Sequence, residues 1–210
     1  MSNLRWQGSF ISEADFTPST VNSSGIFDLS SQQIYKNAGE WRGPYLSGLT
    51  YSYWTHGNYT IPTTQSGFDA LFSGTPVGTG LHTDSIIWDS GTSYGPKPSY
   101  LPADYYSWQV EGFIFIPTAG TYAFGIGSDD GNQLTVNGTI VAYHYGGRGI
   151  SGSPNGTPAD TGSINLSAGY NTFRYRMQEA GGGDGGYVGW QQPGDSGFST
   201  VPATAFFTSN

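Results

Sequence analysis

The chain has 210 residues, with 33 glycines, 16% aromatic side chains, only 10% charged side chains and a net charge of −8. No window holds a helical stripe for four turns, which excludes a helical bundle, and seven Lys and Arg are too few for the basic patch that a nucleic acid requires. The absence of cysteine removes disulfides, thiolate chemistry and Cys-ligated zinc together. The length suits one good-sized domain with an appendage, or two very small ones. No run approaches a membrane span, and "MSNLRWQGSF" lacks the basic-then-apolar pattern of a signal peptide. With Met1 in place, the expectation is a complete gene product that reaches its destination without an encoded leader.

Short aromatic and β-branched segments punctuated by Gly, Pro, Asn and Ser predict an all-β antiparallel sandwich. Residues 1–46 read differently. They are polar, with Ile26, Phe27, Leu29, Ile34, Tyr35 and Trp41 as isolated anchors, and are expected to form a short arm that contacts other chains. Asp28 caps a predicted helical turn over 29–36 that closes near Gly39. From "GLTYSYW" at 48 onward, strands and loops are predicted, and 47–210 is assigned as one domain.

The Gly/Pro/Ser stretch at 89–104 is a surface crossing. "SWQVEGFIFIPT" (107–118), apolar on both faces, predicts a central strand, and "GTYAFGIGS" (120–128) alternates Tyr122, Phe124 and Ile126 with small residues. "NQLTVNGTIVAY" is a hairpin with Asn137-Gly138 in a type I′ turn. "YNTFRYRMQ" (170–178) directs Phe173, Tyr175 and Met177 inward and Arg174 and Arg176 outward. "GYVGWQQ" (186–192) buries Val188 and Trp190, and the "EAGGGDGG" loop before it is rich enough in glycine for some backbone to approach a ligand closely.

Catalytic motifs are weak. Gly91-Thr92-Ser93-Tyr94-Gly95 matches the serine nucleophile elbow, but "PKPSY" follows it where a helix must start. His56, His82 and His144 have no metal-ligand spacing, and no carboxylate pair marks a glycosidase strand end. The expectation is a binding protein, not an enzyme.

The adjacent carboxylates Asp129 and Asp130, in "GIGSDDGNQLTVNG", stand apart. An Asp-Asp-Gly after a strand is usually a turn and no more. Here the same strand-end edge receives Gln178 and the glycine loop, so two carboxylates, an amide oxygen and backbone carbonyls can converge. Hard oxygen donors without His or Cys suit calcium over zinc or copper.

"GLTYSYW", "LPADYYSWQVEGFIFIPTAGTYAFGIGSDDGNQLTVNGTIVAY" and "FRYRMQEAGGGDGGYVGWQQP" together resemble the protective-antigen domain, the β-sandwich of yeast flocculins and bacterial surface adhesins. The resemblance spans residues 47 to 207. It implies a cis peptide between Asp129 and Asp130, calcium held by both carboxylates, by Gln178, and by the main chain at Ala180 and Gly182, and a sugar completing the ion's coordination. It thereby implies that a divalent ion cancels the repulsion of the aspartate pair. Asp129, Asp130 and Asp184 are the expected sugar-contacting residues, with a cell-surface glycan as partner. In the 144–160 insertion, Tyr145 and Arg148 are further candidates for sugar contact. Residues 20–42, "VNSSGIFDLSSQQIYKNAGEW", are similar to segments of tailed-bacteriophage structural proteins. That similarity implies a virion-associated, multi-copy attachment protein docked through the arm on other virion proteins. An adhesin module of a bacterial or fungal surface protein is the alternative, and a decoration protein whose aspartates only brace a loop is a third reading.

Overall fold

A computed structural model of the full chain describes residues 5–6, 9–10, 45–90 and 94–209. Residues 1–46 and 47–209 separate into two compact units, with Asn210 grouped with the first. In the first unit the described structure is one antiparallel pair, β1 (Arg5–Trp6) with β2 (Ser9–Phe10), and residues 45–46. The helical turn expected at 29–36 and the phage-like segment at 20–42 lie outside the described residues, as do residues 91–93 of the elbow motif.

The second unit is the predicted all-β sandwich. The remaining described strands are β3 (Tyr45–Ser47), which ends on the first residue of this unit, β4 (Leu49–Thr55), β5 (Gly78–His82), β6 (Ile87–Asp89), β7 (Tyr106–Ile116), β8 (Gly120–Asp129), β9 (Asn132–Val136), β10 (Thr139–His144), β11 (Asp160–Leu166), β12 (Gly169–Glu179), β13 (Gly185–Gln191), β14 (Ser199–Thr200) and β15 (Phe206–Ser209). One sheet has the order β10-β9-β12-β7-β15-β3 and also carries β4 beside β7 and β5 beside β4. The other has the order β11-β8-β13-β14, with β6 on β13. β7 is central in its sheet, with residues 106–111 pairing with β4 and residues 113–114 with β15, but it buries one face of its second half only, Ile114 and Ile116 lying inside while Glu111 and Phe115 are exposed. Gly112 marks the change of partner, where a Cβ would stand 2.3 Å from the Phe207 carbonyl oxygen.

The two inner faces supply the core. Tyr122, Phe124 and Ile126 from β8 meet Phe173, Tyr175 and Met177 from β12, with Trp88 and Trp108 crossing edge to face at 4.9 Å. Gly162 allows β11 to close against β10, because a Cβ there would lie 1.7 Å from the Val141 carbonyl oxygen. The hairpin at 137–138 has φ of 49° and 76°, the two positive angles of a type I′ turn.

One local reading changes. Arg176 does not point to solvent but is buried, because a short helix, α1 (Gln65–Ala70), covers that face. Its guanidinium lies 4.7 Å from the Phe72 ring centre and donates to Asp69 and Gln133. His82 is buried too, hydrogen-bonded to the Tyr100 hydroxyl at 2.9 Å, and burial holds its pKa below the usual imidazole value. Among the described residues no helix is long and apolar enough to cross a membrane.

Candidate functional site

β8 ends at Asp129, the peptide to Asp130 is cis, and β9 starts at Asn132 in the opposite sheet. The aspartate turn is therefore where the chain crosses between sheets. The end of β12 pins it, since the Asp130 amide donates to the Gln178 carbonyl and the Gln178 amide to the Gly131 carbonyl, both at 2.9 Å. Asp130 is held on both oxygens. Its Oδ1 accepts from the Arg148 amide and its Oδ2 from the Ala180 amide, each at 3.0 Å.

Strand alternation decides what β12 delivers. Tyr175 and Met177 face the core, so the next residue on that face is Glu179, not Gln178. Asp129, Asp130 and Glu179 bring one oxygen each to within 4.8 Å of one another. Gln178 instead shares the opposite face with Arg176, and its Oε1 accepts from the Tyr59 hydroxyl. The side-chain oxygen of Gln178, the expected ligand, is thus taken by Tyr59, whose hydroxyl also donates to the Glu179 carbonyl, and the Gln178 Nε2 is buried without a partner. Glu179 was legible in the period-two pattern, for it continues the series 173, 175, 177.

Three carboxylates so close, and out of water, resist ionisation. Burial, followed by the neighbouring Asp130 charge, pushes Asp129 up to about 6. Burial also raises Asp130, against the two amide donors that favour its charged form. Glu179, fully buried, is pushed up to about 8, first by burial and then, against the Gly181 amide, by Asp129 and Asp130. Its Oε1 accepts from that Gly181 amide, whereas its Oε2 is buried without a hydrogen-bond partner. An unpartnered buried carboxylate oxygen among two other carboxylates is a poor arrangement for the protein alone. It fits a hard divalent cation, and calcium, which accepts an irregular set of oxygen donors, suits it well.

The glycine loop lies beside this cluster. A Cβ on Gly183 would come 3.5 Å from Asp129 Oδ2, and Gly181 and Gly182 adopt φ of 133° and 109°. At Ala180 the amide binds Asp130, and at Gly182 the amide donates to Asp104 Oδ1 at 3.1 Å. Asp184 differs from the open sugar contact expected of it. It is 3% exposed, and its Oδ2 takes the Tyr106 hydroxyl at 2.9 Å and the Lys97 ammonium. Its amide donates to Ser90 Oγ at 2.8 Å, so the 89–104 crossing clamps the glycine loop. Arg148 is equally occupied. Its Nη2 reaches Asp160 Oδ2 at 2.5 Å and its Nε the Ser128 carbonyl at 3.2 Å. Tyr145 stacks on Tyr143, with ring centres 4.8 Å apart, and accepts from Gln133. Sequence reasoning missed Tyr59 and Lys97, which carry no motif and are recognisable only through their partners.

The sequence profile of the PA14 domain matches residues 47–202. No curated protein matches the sequence. Among solved structures, the PA14 domain of the MpAFP antifreeze protein superposes with a TM-score of 0.62 at 18% identity, covering 80% of this chain and 94% of that one. A PA14 sugar-binding domain from an RTX adhesin gives 0.56 at 18%, covering 79% of this chain and 99% of that one. The epithelial adhesin 9 A domain of Candida glabrata, solved with Galβ1-3GlcNAc, gives 0.59 at 14%, covering 80% and 91%. At these identities the likenesses establish the sandwich.

Proposed function

Since this chain belongs to the PA14 domain family through residues 47–202, we propose that it is a calcium-dependent carbohydrate-binding module of the adhesin type. The observation that carries this reading is the Asp129, Asp130 and Glu179 cluster, with a buried oxygen of Glu179 left unpartnered. Those three side chains hold the cation, with the backbone of the glycine loop, including Ala180 and Gly182, alongside. Bound calcium offers open coordination positions to neighbouring sugar hydroxyls. The protein's own part is to fix the carboxylates. Arg148 and Ala180 orient Asp130 through their amides, and Ser90 and Lys97 hold the glycine loop through Asp184. The work is binding without turnover.

The sugar-binding RTX adhesin domain and the glycan-bound epithelial adhesin support a cell-surface or extracellular module. A virion location, with docking on other virion proteins through residues 1–46 and many copies per particle, rests on the similarity of residues 20–42 alone. That segment lies outside the described residues. The adhesin reading is therefore preferred.

Single-site affinity for a sugar of this kind is on the order of millimolar, about −4 kcal/mol, so attachment depends on multivalency. The test is a glycan array probed with the full chain displayed on beads, in calcium and in EDTA. Binding to a subset of glycans that EDTA abolishes is expected. Absence of any hit by a calcium-loaded protein would leave the cluster as a structural brace.

A further inference from the structure

We infer that this site selects uncharged glycans and rejects acidic ones, because the lysine and the arginine that approach it, Lys97 and Arg148, are already spent in ion pairs. The inference rests on the sugar-site reading above. Seven residues of the chain are Lys or Arg, and the four described in the second unit are Lys97, Arg148, Arg174 and Arg176. Lys97 is paired with the buried Asp184, and Arg148 with Asp160. Arg176 is held by Asp69 beneath α1, on the face of β12 opposite to Glu179. Arg174 lies five residues back along β12 from Glu179, about 17 Å away at strand rise. Among the described residues of the second unit, then, no uncommitted lysine or arginine reaches the site, and the one other basic group whose field reaches Asp130, His144, is disfavoured as a cation first by burial and then by Arg148.

The acids form the opposite balance. Asp129, Asp130 and Glu179 contribute three negative charges when ionised, and a divalent cation cancels two of them. Asp104 adds an exposed carboxylate directly at the glycine loop, where its Oδ1 holds the Gly182 amide. The pairs Lys97–Asp184 and Arg148–Asp160 each sum to zero. The cation-loaded site thus keeps a net negative charge, within a chain whose net charge is −8. A carboxylated or sulfated sugar meets like charge with no donor cation to offset it, whereas a neutral diol loses nothing.

An array carrying neutral glycans beside their sialylated and sulfated counterparts tests this, with the full chain displayed on beads in millimolar calcium. The neutral member of each bound pair should give about tenfold more signal, and the gap should narrow at high salt as screening shortens the field. Asp160→Asn, which releases Arg148, and Asp104→Asn, which keeps the acceptor for Gly182 but loses the charge, should each raise the acidic-to-neutral ratio. Equal or stronger binding of the acidic members by the unaltered chain overturns the inference and leaves the sugar site standing. A ratio unmoved by salt and by both variants also overturns it, since the selection is then steric. No binding of any glycan in calcium overturns the sugar-site reading itself.

Discussion

The Ala180 amide donates to Asp130 Oδ2 at 3.0 Å, joining two loops that lie 50 residues apart. One residue earlier, Glu179 brings its carboxylate to the same aspartates. The turn between the two sheets and the end of β12 therefore make a single unit, and a cation bound there would be linked to the folding of the whole sandwich.

Calcium should stabilise the fold. At a hundredfold excess over its Kd, a ligand that binds only the native state adds about 2.7 kcal/mol. For a domain of this size that is roughly 5–10 °C in Tm. Thermal melts in calcium and in EDTA measure it, and coincident curves would remove the site from the account.

Glu179, not Gln178, should be the third side-chain ligand. Glu179→Gln is expected to weaken calcium binding by at least tenfold, as a charge-to-amide change at a buried cation (about 1.4 kcal/mol or more). Gln178→Asn shortens a side chain whose oxygen is bound by Tyr59 and should change calcium affinity far less. The reverse order of effects, read by calcium titration of the two variants, would restore Gln178 to the ligand set.

In EDTA, stability should fall as pH rises from 6.5 to 8.5. Glu179 is raised to about 8 and Asp129 to about 6, in both cases first by burial. Carboxylates whose folded pKa lies above the unfolded value contribute stability fully present below the unfolded pKa, near 4, and lost as pH rises through the folded one. The buried His82 acts with the opposite sign, its folded pKa being lowered, and costs stability only as pH drops below about 6.5. Melts of the chelated protein across this window should slope downward, and saturating calcium should flatten them. A rising slope in EDTA would contradict the cluster's electrostatics.

Asp184→Ala should unfold the domain more readily instead of weakening sugar alone. It strips a buried carboxylate from Lys97 and from the Tyr106 hydroxyl. Losing one partner of a buried pair costs on the order of 3 kcal/mol. Urea denaturation reads this directly, and a midpoint shift near zero would show that the clamp on the glycine loop carries no weight.

Gly162→Ala should be among the costliest single-methyl additions. The added Cβ meets a backbone oxygen of β10 at 1.7 Å, which no side-chain rotation relieves. A loss of about 3 kcal/mol or more is expected from overpacking. Wild-type stability in the variant would mean that β11 and β10 do not approach as described.

Much of this was legible from residues. Phe113–Ile116 announced a central strand, the 173, 175, 177 series an inner face, and Asn137-Gly138 its turn, because period and turn chemistry are local properties. The aspartate pair stood out because repulsion inside an apolar run needs a compensating charge. What sequence could not reveal is long-range. Arg176 looks exposed until α1, about a hundred residues earlier, is laid over it. Asp184 looks like an open loop acid until Lys97 and Tyr106 are brought to it. The place of Glu179 beside the aspartates was within reach of the sequence, for continuing the alternation by one step selects it.

The most direct test of the central claim is a calorimetric calcium titration of the chelator-stripped full chain, beside Asp130→Asn. Saturable binding of one ion per chain, lost in the variant, is expected. No saturable heat in the unaltered chain, or the same isotherm in Asp130→Asn, would contradict it.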